Sequence, residues 1–138
     1  MSHVYESAQR HLDSDFPENH GAEAAYTPGG FLLVWLLHNG MVTKAVSDRL
    51  KEDIARLNSG QITAGQLFAA AGGVLRSDML TTTGNSFGLG YLDRFYFEDY
   101  TQLFDEQFDV IWDVEDNDEH LQIVCEMLDA IHDEFADD

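Results

Sequence analysis

The chain has 138 residues, with 7 Lys and Arg against 26 Asp and Glu, and a formal net charge of −19. That length fits one domain of the common size of roughly 100–150 residues. A composition 44% hydrophobic and 12% aromatic excludes a disordered acidic tail, and the charge excludes nucleic acid and anionic membrane surfaces as partners, leaving a basic protein.

Residues 1–26 read as a short helix and a loop. Tyr5, Ala8 and Leu12 fall on one helical stripe. Asp15-Phe16-Pro17 then breaks it, because the residue before proline is pushed out of the α region. Thr27-Pro28 marks a second helix start, with Thr27 as cap and Pro28 at the first helical position. The run Phe31-Leu32-Leu33-Val34-Trp35-Leu36-Leu37 is apolar all round, which predicts a buried central helix ended by Asn39-Gly40.

Thr43 caps the next predicted helix, to about Asn58, with Val46, Leu50, Ile54 and Leu57 as its apolar stripe. Thr63 and Gln66 form a capping box that opens a short helix to Ala71, ended by Gly72-Gly73. The stretch Thr81 to Asn85 reads as a turn. From Ser86 a long aromatic helix is expected: Phe87, Tyr91 and Phe95 step by four, and Phe97, Tyr100, Phe104 and Phe108 continue the stripe. An acidic loop, Asp113 to Glu119, leads into a last helix with Leu121, Val124, Leu128, Ile131 and Phe135 inward. No alternating strand pattern competes. The expected fold is all-α, a compact single domain over residues 1–138 of about five or six helices.

The acid is not evenly spread. Residues 1–92 hold 9 acidic and 6 basic side chains, whereas residues 93–138 hold 17 acidic and one basic, Arg94. The two segments therefore carry −3 and −16. Adaptation to high salt would enrich acid along the whole chain, so the asymmetry argues against it.

Catalytic and metal-binding patterns fail one by one. An EF-hand starting at Asp113 places Asp118 where the turn needs glycine and Val124 where the bidentate glutamate belongs. The six histidines form no His-Glu-x-x-His helix, and Asp129 with His132 reads as a surface pair. Cys125, the sole cysteine, rules out an internal disulfide and sits among acids that raise a thiol pKa. Gly84-x-Ser86-x-Gly88 matches a nucleophile elbow in letters but lacks the preceding strand. The glycine pairs lack a Walker lysine. No enzyme activity, cofactor or metal is expected. No apolar run approaches the ~20 residues of a membrane span, and the first residues lack the features of a signal peptide, which points to the cytoplasm.

The pattern Asp15-Phe16-Pro17, Gly29-Gly30-Phe31-Leu32-x-x-Trp35-x-x-x-x-Gly40 and Gly84-Asn85-x-Phe87-x-x-x-Tyr91 resembles a family of small acidic bacterial proteins of unknown function, over roughly residues 3–105. A histidine frequent two or so places before the Gly-Phe-Leu of that family is replaced here by Pro28-Gly29-Gly30. The resemblance implies a protein similar in type to the immunity partners of interbacterial toxins, and it carries over no catalytic residue.

The expected function is neutralisation of a cognate bacterial toxin, a nuclease for example, whose basic cleft an acidic surface would occupy. The alternative is a non-enzymatic adaptor or chaperone-like escort of a basic client. The expected contact residues are Asp105, Asp109, Asp113, Glu115, Asp116, Asp118 and Glu119, with Tyr96, Tyr100 and Trp112 as anchors. Acids supply steering and aromatics supply anchoring in such an interface.

Overall fold

The structure is a computed structural model that describes residues 3–14 and 16–136. Its residues are mostly helical, and one hydrophobic cluster runs through them. The helices are α1 (Ala8–Asp13), α2 (Thr27–His38), α3 (Lys44–Arg49), α4 (Lys51–Asn58), α5 (Ala64–Ala70), α6 (Thr82–Phe87), α7 (Asp93–Phe104) and α8 (Asp118–Ala136). A π-helical turn, Gly88–Leu92, joins α6 to α7. No helix of the described residues is long and apolar enough to cross a membrane.

The expected buried helix is α2. Residues Phe31 to Leu36 are each at most 1% exposed. A short 3₁₀ helix, Ala22–Tyr26, leads into it, so the helix proper begins at Thr27 and Pro28 occupies its second position. The helix turns out at Gly40, whose φ of +67° suits glycine. Helix α5 packs on α2 through the paired glycines. A Cβ on Gly30 would lie 2.5 Å from the Ala64 carbonyl and the Gly65 nitrogen, and one on Gly29 would strike the Phe68 ring. Two helices approach this closely only where side chains are missing.

The all-α expectation holds for the fold class, and one small two-stranded sheet is added to it. Val4–Ser7 forms strand β1, paired antiparallel with β2, Val74–Arg76. Tyr5 therefore belongs to a strand, and helix α1 starts only at Ala8, capped by the Ser7 hydroxyl. Four strand residues are too few for a period of two to stand out against a helical stripe. Helix α1 ends at Asp13, and Asp15 of the predicted break lies outside the described residues.

The segment after Thr43 divides in two at Leu50, whose backbone (φ −94°, ψ 7°) interrupts the helix. The capping box of Thr63 and Gln66 is formed in full. The Thr81 to Asn85 turn is instead the start of α6, with Thr81 as its cap.

The largest difference lies in the aromatic helix. The π turn inserts an extra residue per turn and shifts the stripe by one place. Phe87 and Tyr91 stack with ring centroids 5.2 Å apart. The next inward aromatic is Tyr96, five places on, followed by Tyr100 and Phe104. Phe95, predicted to face the core, is 46% exposed. Tyr96 and Tyr100 are 2% and 1% exposed, so they are core residues and not interface anchors. The Tyr96 hydroxyl donates to the Pro28 carbonyl at 2.6 Å, tying α7 to the start of α2. Tyr96→Phe should leave that buried carbonyl short of a donor and cost about 1–2 kcal/mol in urea unfolding.

Candidate functional site

The motif residues of the resemblance are structural. The Asn85 amide donates to the carbonyls of Ser77 and Leu80 and accepts from the Tyr5 hydroxyl at 2.8 Å. The Trp35 indole donates to the Asp129 carboxylate at 2.8 Å, joining α2 to α8. Asp129 is thus committed to Trp35, and His132 lies edge-on to Trp35 and Phe87, so they do not form the predicted surface pair. Gly84 and Gly88, which gave the false nucleophile pattern, pack against the Met41 carbonyl and the Tyr5 ring. Burial, and then Asp129, push the Cys125 thiol up to about 11, far from a reactive thiolate.

The acidic loop makes specific contacts. Asn117 accepts from the His120 N–H at 2.8 Å and so caps α8. Asp118 and Glu119 occupy the first turn of α8, where the helix dipole favours anions. Asp113 meets the His20 imidazole at 2.6 Å. Asp116 turns inward, and its Oδ2 accepts from the Gly65 N–H at 2.9 Å in the first turn of α5. A Cβ at position 65 would lie 2.5 Å from that oxygen, so glycine is required for the contact. Among the described residues no group of three or more His, Cys, Asp or Glu is placed to hold a metal ion.

Burial raises the Asp116 carboxyl above its ordinary 3.8, while hydrogen bonds from Thr63 and the Gly65 and Ala64 backbone oppose the rise. A raised folded-state pKa means the folded protein binds this proton more tightly than the unfolded chain. The stability it contributes is present below pH 3.8 and lost as pH rises through the raised value. Asp116→Asn, which keeps the acceptor and removes the charge, should therefore stabilise the protein at neutral pH. Its advantage should vanish in acid below the ordinary carboxylate range. Asp116→Ala should instead cost about 1–2 kcal/mol, because the Gly65 N–H loses its partner. Urea unfolding of both variants across pH checks the pair.

Around this loop lies a cleft of about 720 Å³. Tyr26 and Trp112 supply aromatic lining, Ala24 and Ala69 apolar lining, and Glu23, Asp113, Glu115 and Asp116 four carboxylates. Its lining includes no Lys, Arg or His. A second cleft, about 450 Å³, lies beyond Thr63 and Asp116 and is bordered by Asp118. Of the predicted contact residues, Trp112, Asp113, Glu115 and Asp116 thus converge on one cleft. Asp105, Asp109 and Glu119 are exposed on the surface outside it.

Trp112 is half-buried and held from behind. Its ring stacks on Phe97 at 5.8 Å and contacts Phe16 and His11. His11 in turn bonds Glu6 at 2.8 Å, a carboxylate only 5% exposed whose Oε1 also accepts from the Ser7 N–H. Glu6, His11, Glu23 and Tyr26 escaped the sequence reading. His11, Glu23 and Tyr26 reach Trp112 or the cleft only through the tertiary fold, and Glu6 is tied to them through His11.

A family described as a domain of unknown function (DUF7832) matches residues 4–114. No curated protein and no solved structure matches the chain. The family match covers the α2–α5 packing and the aromatic helix and stops at Val114, short of α8. By that coverage, the chain belongs to the family described as a domain of unknown function, DUF7832.

Proposed function

We propose that this protein binds and neutralises a basic protein, as an immunity protein does for a bacterial toxin. One observation carries the reading. A net −16 is concentrated in residues 93–138, and its loop borders a cleft whose lining includes no cationic side chain. A concave site with one sign of charge and partly apolar walls focuses its field outward. Opposite charge speeds encounter, and a toxin must be caught before it acts. The exposed carboxylates Asp105, Asp109, Asp113, Glu115, Asp118 and Glu119 supply the steering, with Trp112 as the aromatic contact.

Co-expression with the open reading frame adjacent to its own gene tests the proposal. Cells expressing that neighbour should survive only when this chain is present, and the two proteins should co-purify. Unimpaired growth without this chain, or equal toxicity with it, would remove the neutralisation reading.

A further inference from the structure

We infer that the cleft between Tyr26 and Trp112 receives an arginine side chain presented by the basic partner. The inference rests on the partner-binding reading above and adds the chemistry of the contact. Size comes first: about 720 Å³ is ample for one long side chain with its flanking backbone. Charge follows. Glu23, Glu115 and Asp116 make no ion pair among the described residues, and the Asp113 pair with His20 uses one carboxylate oxygen, leaving Oδ2.

Arginine fits this lining better than lysine. A guanidinium is planar, stacks on aromatic rings and bonds carboxylates with two parallel N–H groups. An ammonium is more strongly hydrated and offers no flat face. The Tyr26 and Trp112 rings and the carboxylates that share this lining supply both halves of that recognition. The site is also prepared in advance. Trp112 is backed by Phe97, Phe16 and His11, and Asp116 is fixed by Gly65, so little ordering is needed on binding.

The test uses the full chain and two capped tripeptides, acetyl-Gly-Arg-Gly-amide and its lysine counterpart, followed by the Trp112 indole resonance in NMR. The Trp112 signal is separated from that of Trp35 by the variant Trp35→Phe. Arginine peptide should shift Trp112 saturably, and the lysine peptide should bind about tenfold more weakly. Ala69→Phe fills the cleft without changing the charge and should abolish the shift. Should that variant unfold, Glu23→Gln with Glu115→Gln should weaken the arginine peptide instead. No saturable shift, equal affinity for the two peptides, or a shift that survives Ala69→Phe would overturn the inference. A partner captured equally by wild type and a folded Ala69→Phe would overturn the cleft contact alone. An arginine-selective shift with no neutralised partner would instead remove the neutralisation reading.

Discussion

Gly30→Ala is expected to lower stability by about 3 kcal/mol or more, one of the largest effects of any single methyl group in this chain. The added Cβ would lie 2.5 Å from backbone atoms of Ala64 and Gly65, and backbone cannot swing aside as a flexible side chain can. Helix α5 must then move off α2. That movement strains the Asp116 contact with Gly65, so the acidic loop loses its anchor with the packing. Thermal unfolding should fall by about 10 °C. A loss below about 1 kcal/mol would mean that α5 is not seated on α2 as described.

Neutralising the loop is expected to act mainly on rate, with a stability loss of no more than about 1 kcal/mol from the Asp118 charge at the α8 N-terminus. The variant Asp113→Asn, Glu115→Gln, Asp118→Asn removes three exposed carboxylates and leaves Asp116 in place. Association with the basic partner should slow by about tenfold or more at low salt, and the dependence of the rate on ionic strength should flatten. Dissociation should change less, since steering acts mainly on encounter. Stopped-flow mixing across a salt series separates the two. An unchanged association rate at low salt would mean that this loop does not guide the encounter.

Much of the fold was legible because local signals agreed with packing. The all-apolar run of α2, the Thr43 cap and the Thr63–Gln66 box each stand where short-range patterns place them. The aromatic helix was legible as a helix but not in its phase. One π turn at Gly88–Leu92 moves the inward set from Phe95 to Tyr96. The signal available was the pair Gly88 and Gly90, since glycine is a weak helix former. In the fold those glycines admit the rings of Tyr5 and Phe135. Strand β1 escaped because its partner β2 lies some 70 residues away, and a strand that short is recognised by its pairing.

The candidate site shows the same division. The acidic loop and Trp112 are contiguous in sequence, and charge counting finds them. The opposite wall, Glu23 and Tyr26, comes from the 3₁₀ helix before α2, where nothing in composition marks it. Nor does spacing reveal that Asp116 turns inward to α5 while its neighbours face water. That depends on Gly65 leaving room for a carboxylate from 51 residues away.

The central claim is that the acidic face meets the partner. Hydrogen–deuterium exchange of the co-purified complex against the free protein tests it most directly. Protection is predicted in the segments 105–119 and 22–27, which hold the exposed carboxylates and the two walls of the cleft. Unchanged exchange there, with protection confined to the exposed Leu89 and Phe95 side of the aromatic helix, would contradict it.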